Sequence, residues 1–189
     1  KSAAFFRWFH IYVSMVCFGT MIFFSLTGIT LNHPTWFGAS DFQIEDKSGQ
    51  LPTELLAEPV DKLAVAEKLR ADYRLKGAVK EFEIDEFELM VVFKGPGYAA
   101  DIFIDRESGR LDLSESKAGF VAIMNDLHKG RDTGAKWSWV IDLSAAFVLL
   151  AGFSGFGLLF YVKRRRASGL WASFWGTVVL VLIWAFFVP

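Results

Sequence analysis

The chain has 189 residues, 53% of them hydrophobic, and its 20 basic and 21 acidic side chains give a formal charge of −1. This balance is typical of a soluble domain, but the charges are unevenly distributed. All 21 acids lie between Asp41 and Asp142, and the stretches 11–31, 137–162 and 170–188 contain one charged residue, Asp142. Each stretch is long enough to cross a bilayer, which needs about 20 apolar residues. The pattern excludes a single soluble domain and predicts three membrane spans with one insert.

Basic residues beside the apolar stretches predict the orientation. Lys1 and Arg7 precede the first stretch. That stretch exceeds the apolar core of about 7–15 residues in a signal peptide, so it is expected to be a span. Residues 163–166 are Lys-Arg-Arg-Arg and join the second and third stretches. Because cytoplasmic loops are rich in Lys and Arg, both basic segments are expected in the cytoplasm, residues 34–136 in the periplasm, and the protein in the bacterial inner membrane.

The insert is predicted to be a small α+β module. After a mixed, turn-rich stretch at 34–59, Asp61 is expected to cap a helix that runs to Gly77. The hydrophobic period then changes to two, which predicts antiparallel strands with their carboxylates on the solvent side. The amphipathic segment 118–127 leads back towards the second span. The strands are predicted at 79–85, 87–93, 99–104 and 110–113.

The insert is also acidic and has no cysteine. Residues 32–136 carry 14 basic and 20 acidic side chains, a charge of −6, and no basic stripe, so no nucleic-acid partner is expected. The one cysteine, Cys17, lies in the first span, so packing alone must stabilise the insert.

The expected fold is therefore an α-helical membrane protein with three transmembrane helices and a small extracytoplasmic α+β insert between helices 1 and 2. The first expected division, 1–33, holds the N-terminal flank and first span. The insert with its connecting segments follows at 34–127. An outer boundary motif and the second span occupy 128–162, and the basic loop and third span occupy 163–189.

The three histidines are candidate ligands, and all lie next to a predicted span. At 1.5 Å per residue, the 23 residues from His10 to His33 cover about 34 Å, so these two are expected at opposite membrane surfaces. His33 and His128 share the outer surface and can approach each other. Two imidazoles in an apolar setting suit six-coordinate haem iron, whereas a zinc or copper site needs more ligands. Alternatively, the histidines are polar anchors at the membrane boundary.

Asp142 is the second candidate, because an ionisable side chain inside a span is by default a functional hypothesis. Either it carries protons, binds a cation or hydrogen-bonds a cofactor, or it is a near-interface acid bonded to a neighbour such as Ser138 or Thr27. Small residues near the helix ends would let a porphyrin or another helix approach closely. They are Ser25, Gly28, Gly152, Ser154, Gly155 and Gly157.

Three local motifs resemble the PepSY-associated transmembrane family in its short three-span form. They are RWFHIYVS at 7–14, TGITLNHP at 27–34, and LHKGRDTG at 127–134 running into WSWVID at 137–142. The motifs cover both flanks of the insert and the first two spans, and the insert looks like a PepSY module. The third span is generic.

The resemblance implies a membrane haem protein that passes electrons outward. Relatives include siderophore-iron reductases, and short members are similar to proteins associated with periplasmic flavoproteins carrying covalently attached FMN. The family's histidines fall at His10, His33 and His128, and its acid after the Trp-Ser-Trp run falls at Asp142. Longer relatives have at least four spans and more histidines. The three histidines of this chain cannot supply two pairs of haem ligands. The resemblance therefore implies one haem b per chain, and a second only if His10 pairs with another chain in a homodimer or larger complex.

The resulting hypothesis makes His33 and His128 the metal ligands of a b-type haem. Lys129 and Arg131 would pair with the propionates, and Asp142 would tune the site by hydrogen bonding. Electrons would come from quinol or a cytoplasmic reductase and leave to a periplasmic flavoprotein or an iron–siderophore acceptor. The chain would then be an oxidoreductase or an electron-transfer subunit. The alternative is a non-redox, membrane-anchored assembly or sensor protein whose PepSY module binds a periplasmic partner.

Overall fold

A computed structural model describes residues 2–189, which form five α-helices and one five-stranded sheet. Short 3₁₀ helices lie at Trp36–Gly38 and Thr53–Leu56. In chain order the main elements are α1 (Ser2–Asn32), β1 (Phe42–Gln50), α2 (Lys62–Tyr73), β2 (Ala78–Ile84), β3 (Glu88–Gly95), β4 (Tyr98–Asp105), β5 (Arg110–Ala118), α3 (Phe120–Lys129), α4 (Ala135–Leu159) and α5 (Arg166–Phe187).

Three of these helices, α1, α4 and α5, are long and apolar enough to cross a membrane. This confirms the three predicted spans, and their exposed apolar surfaces imply contact with a lipid bilayer. The α+β module lies between α1 and α4 in the chain, as predicted. The spans and the module differ in their content of charged residues. A lipid-facing helix makes all its backbone hydrogen bonds internally and tolerates few charged side chains, so the segments that lack charge form the spans.

The sheet has the strand order β1-β5-β4-β3-β2, with every neighbouring pair antiparallel. The predicted meander of β2 to β5 is confirmed. The expectation of a turn-rich stretch at 34–59 is wrong for β1, which pairs with β5 along its whole length from Phe42 opposite Ala118 to Gln50 opposite Arg110. Its polar residues show no apolar alternation, because this edge strand is exposed at eight of its nine positions.

Helix α2 covers one face of the sheet and forms the core of the module. Asp61 caps it as predicted, accepting hydrogen bonds from the backbone N–H groups of Leu63 and Ala64 at 3.0 and 3.1 Å. The helix ends at Tyr73, before Gly77. Each fully buried aliphatic or aromatic side chain stabilises the module by about 1.5–3 kcal/mol. The core includes Val65, Leu69, Leu89, Val91, Phe93, Ile102, Ile104, Leu111 and Leu113.

One carboxylate departs from the expected solvent-facing pattern. Glu115 lies on the core face of β5 and is 4% exposed. Its Oε2 accepts hydrogen bonds from Lys47 at 2.8 Å and Lys117 at 3.1 Å. Burial acts to raise the pKa of Glu115, but the hydrogen bonds from Lys47 and Lys117 lower that pKa below its ordinary value of 4.5. The buried carboxylate is therefore held ionised by its lysine partners.

Contacts divide the chain into two compact units. One, Phe23–Ile141, contains the sheet module, α3, the last residues of α1 and the first residues of α4. The other contains residues up to Ile22 together with Asp142–Pro189. In this second unit, four small side chains are buried, and one of them, Ser154, lies within hydrogen-bond distance of His10 on α1. They are Cys17, Ser144, Ala151 and Ser154.

Candidate functional site

His128 lies near the end of α3, and the residues around it fix that helix in place. Asp126, 8% exposed, accepts a hydrogen bond from the backbone N–H of Gly97 at 2.8 Å, in the turn between β3 and β4. Arg131 donates to the other carboxylate oxygen from Nε at 2.9 Å and also from Nη2. The helix then ends at Gly130, whose φ of 68° is left-handed and suits glycine. His128 is therefore held on a helix tied to the sheet.

A second contact fixes α3 against the end of α1. Thr30 donates a hydrogen bond from Oγ1 to Oδ1 of Asn125 at 2.6 Å, and Asn125 is buried. Trp137 donates from Nε1 to the backbone carbonyl of Leu127 at 2.8 Å. The buried Oδ1 of Asn125 would lose its hydrogen-bond partner if α3 rotated away from Thr30, so α3 has little freedom to rotate about its axis.

The His128 ring packs between aromatic, hydroxyl and glycine neighbours on α1. Its Nδ1 lies 2.6 Å from Oγ1 of Thr27, and its ring meets Phe24 edge-on with centroids 5.0 Å apart. A Cβ added to Gly28 would lie 3.8 Å from the ring carbon Cε1, so the imidazole lies close to the helix backbone. Nδ1 therefore has a hydrogen-bond partner on α1, and Nε2 is the ring nitrogen that is left for another partner.

The electrostatic environment of His128 favours the neutral ring. Burial lowers its pKa below the ordinary value of 6.5, and the nearby charge of Lys129 lowers it further. A metal binds the neutral imidazole, because the ligating nitrogen must carry a free lone pair. Burial and the charge of Lys129 thus both favour a neutral imidazole at His128.

His33 has different neighbours. It follows the last residue of α1, and its ring stacks on Trp36 with centroids 3.9 Å apart and 9° between the planes. Thr27, the partner of His128, lies six residues earlier in the chain, or about 9 Å along a helix axis. Both histidines lie at the same end of α1, as expected, but the neighbours of one ring are not those of the other.

His10 is bonded in the second compact unit. Its Nδ1 lies 2.9 Å from Oγ of Ser154 on α4 and 3.5 Å from Oγ of Ser14. A Cβ added to Gly155 would lie 3.0 Å from the His10 ring carbon Cε1. His10 is therefore a packed residue of the contact between α1 and α4.

Two of the three charged candidates line the same cavity. Lys129 is exposed, and it lines a cavity of about 120 Å³ together with Arg131 and Asn125. The guanidinium of Arg131 forms an ion pair with the carboxylate of Asp126. Asp142 is exposed on α4, and no side-chain hydrogen bond to it is found among residues 2–189.

Sequence reasoning missed the roles of Thr27, Asp126 and Asn125. Asp126 and Asn125 lie on the face of α3 that packs, and only their partners in distant elements give them a role. A signal for Thr27 did exist, because a hydroxyl residue precedes a glycine in both Thr27-Gly28 and Ser154-Gly155. The sequence predicts close approach at these glycines, and the histidines contact the adjoining hydroxyls.

One imidazole at this site meets the requirements of an axial haem ligand, whereas the rings of His33 and His10 have other neighbours. A haem iron takes one or two axial side chains, and His128 supplies a neutral, half-buried imidazole whose Nδ1 is already bonded. Among residues 2–189, no group of three or more His, Cys, Asp and Glu side chains is placed to hold a metal ion.

The chain matches a known protein family. A family model described as PepSY_TM-like matches residues 4–189, nearly the whole chain. No curated protein and no solved structure matches it.

Proposed function

Because the chain belongs to the PepSY_TM-like family, we propose that it holds a b-type haem with His128 and His33 and passes electrons towards an extracytoplasmic acceptor. The observation that carries this proposal is the setting of His128. Its pKa is lowered, its Nδ1 is bonded to Thr27, and the helix that bears it is fixed by Asp126. These are the features of a histidine prepared to ligate a metal through Nε2.

His33 is the proposed second ligand. Its ring is half-buried at the same end of α1 and stacks on Trp36, which restrains its orientation. When bound, haem supplies a one-electron carrier whose potential depends on its axial ligands and surroundings. Lys129 and Arg131 line one cavity beside α3 together with Asp126, and the net positive charge of these three side chains is suited to carboxylate groups such as propionates.

The proposed location is the bacterial inner membrane, with the α+β module in the periplasm. The basic residues at 163–166 and in the N-terminal flank support this orientation. Quinol or a cytoplasmic reductase is the proposed electron donor. A periplasmic flavoprotein or an iron–siderophore complex is the proposed acceptor. A second haem at His10 would need an imidazole from another chain, and Asp142 is a proposed tuning residue because it is an acid within a spanning helix.

The test is the visible spectrum of the purified full chain from haem-replete cells. We expect a Soret band that shifts on reduction with dithionite. His128→Ala should abolish the low-spin spectrum, and His33→Ala should convert it to that of an iron with one axial imidazole. Phe120→Ala is the matched control, because this side chain is 73% exposed on the same helix and should leave the spectrum unchanged. A folded, colourless parent protein would refute the haem proposal.

One observation supports the non-redox assembly or sensor function as a second candidate. The sheet face opposite α2 carries exposed acids around Phe103, which is 44% exposed. Such a face suits contact with a protein partner. A colourless parent that binds a periplasmic protein, with binding lost on charge reversal at Asp101 and Asp112, would support this function instead. The exposed acids of the face are Asp46, Glu81, Glu83, Asp101 and Asp112.

A further inference from the structure

We propose that Thr27 and Ser154 are positioning residues that hold His128 and His10 as Nδ1–H tautomers, so that each ring presents an unprotonated Nε2. The use of Nε2 as a ligand atom rests on the function proposed above, but the tautomers themselves do not. The number of protons available in two similar hydrogen-bond networks supports these tautomers. The networks lie in different parts of the chain and use different helices.

The first network joins His128 to α1. Thr27 Oγ1 lies 2.6 Å from the backbone carbonyl oxygen of Phe23 and 2.6 Å from Nδ1 of His128. A hydroxyl has one proton to donate, and a carbonyl oxygen can only accept. The proton of Thr27 therefore lies towards Phe23, since two oxygens at this distance would otherwise repel each other. Oγ1 must then accept from His128, which places the ring proton on Nδ1.

The second network repeats this arrangement between α1 and α4. Ser154 donates from Oγ to the backbone carbonyl of Ala151 at 3.0 Å, and the same Oγ lies 2.9 Å from Nδ1 of His10. Ser154 is 4% exposed, so the hydroxyl has little access to water as an alternative partner. The same proton count makes His10 the donor through Nδ1, with Oγ of Ser14 at 3.5 Å as a second, longer acceptor, and leaves Nε2 without a proton.

A glycine follows the hydroxyl residue in both networks. Gly28 faces Cε1 of His128, and Gly155 faces Cε1 of His10. At Gly155 the absence of a side chain lets the His10 ring lie this close, whereas a Cβ at Gly28 would make only an ordinary van der Waals contact with the His128 ring. The hydroxyl in each network fixes the position of the ring proton and so helps to orient the imidazole. His33 differs, because its ring packs on Trp36.

The test reads the tautomers directly, in the full chain purified without cofactor. The protein is labelled with ¹⁵N-histidine, and the imidazole nitrogens are observed by NMR well above the ordinary histidine pKa of about 6.5. Each signal is assigned by replacing one histidine at a time. We expect His128 and His10 to carry their protons on Nδ1. A proton on Nε2 of His128 in the parent overturns the inference, whatever the variants do.

Thr27→Val removes the acceptor while keeping the side-chain shape, and Thr27→Ser restores the hydroxyl. We expect Val to give a mixture of tautomers at His128 alone and Ser to recover the parent spectrum. Ser154→Ala should act in the same way on His10 alone. A tautomer at His128 that is unchanged in Thr27→Val would show that the hydroxyl contact is only structural, and would overturn the inference.

Matched controls are available for both hydroxyls. Thr20 lies on α1 and donates to the carbonyl of Cys17 at 2.8 Å, and Ser168 donates to that of Arg165 at 3.1 Å. Neither hydroxyl bonds a histidine, so Thr20→Val and Ser168→Ala should leave all three imidazoles unchanged. If Thr27→Val does not fold, the parent tautomers together with Thr27→Ser still decide the question.

A haem titration separates this inference from the proposed function. If His128 ligates through Nε2, Thr27→Val should weaken haem binding by about 10–100-fold, the usual effect of losing a hydrogen-bond partner of a ligating histidine. A parent that binds no haem yet shows both Nδ1–H tautomers would refute the haem proposal and support the positioning role. Unchanged haem affinity together with an altered tautomer would overturn the use of Nε2 as the ligand atom.

Discussion

Replacement of Asp126 by alanine should loosen α3, the helix that carries His128. The carboxylate has two kinds of partner: the backbone N–H of Gly97, at 2.8 Å, and the guanidinium of Arg131. The first holds α3 against the turn between β3 and β4. The second links α3 to Arg131 in the segment that follows the helix. Because Asp126 is 8% exposed, water cannot readily replace the carboxylate at either partner.

The two partners of Asp126 should contribute unequally to the free energy of opening α3. A hydrogen bond to a charged group stabilises a protein by about 1.5–3 kcal/mol, and this applies to the Gly97 N–H. The Arg131 side chain is 61% exposed, so its ion pair should contribute about 0–1 kcal/mol after solvent screening. We therefore expect Asp126→Ala to lower the free energy of opening α3 by about 2–4 kcal/mol, and Arg131→Gln by about 0–1 kcal/mol.

Hydrogen–deuterium exchange of the full chain in detergent measures this opening. At 1.4 kcal/mol per tenfold change, amides in α3 and the β3–β4 turn should exchange roughly 30–700-fold faster in Asp126→Ala, and less than about sixfold faster in Arg131→Gln. Asp101→Ala is the control, since this exposed acid lies on the open face of β4. Equal effects of the Asp126 and Arg131 changes would refute the reasoning, because the Gly97 bond would then contribute nothing.

Two further predictions concern packing and charge. Gly155→Ala places a Cβ 3.0 Å from the His10 ring and should shift its imidazole NMR signals, whereas Gly28→Ala, at 3.8 Å from the His128 ring, should be tolerated. Shifts of equal size would contradict this. Glu115→Gln should destabilise the sheet by about 1–3 kcal/mol near pH 7. The pKa of Glu115 is lowered on folding, so its contribution is present above pH 4.5 and lost as the pH falls through the folded pKa. Hydrogen exchange of the sheet should therefore show the difference narrowing below pH 4.5, and a constant difference would exclude the ionised pair as its source.

Much of the architecture is encoded locally. The apolar stretches predict three spans because lipid contact requires long runs without charge, and the alternation after Gly77 predicts the meander because one face of the sheet is buried. Strand β1 could not be predicted from the hydrophobic pattern. Its polar residues are stabilised by pairing with β5, some 70 residues later in the chain, and a polar edge strand leaves no periodic signal.

The histidines show the same division. Sequence alone places His10 and His33 at opposite ends of one span, because a helix has a fixed rise per residue. It could not say what each ring contacts. The packing of α3 on α1 brings His128 to Thr27 and Gly28, and the packing of α1 on α4 brings His10 to Ser154 and Gly155. A hydrogen bond depends on atoms a few ångströms apart, and only the tertiary structure determines which residues, 101 or 144 positions apart in these two cases, come that close.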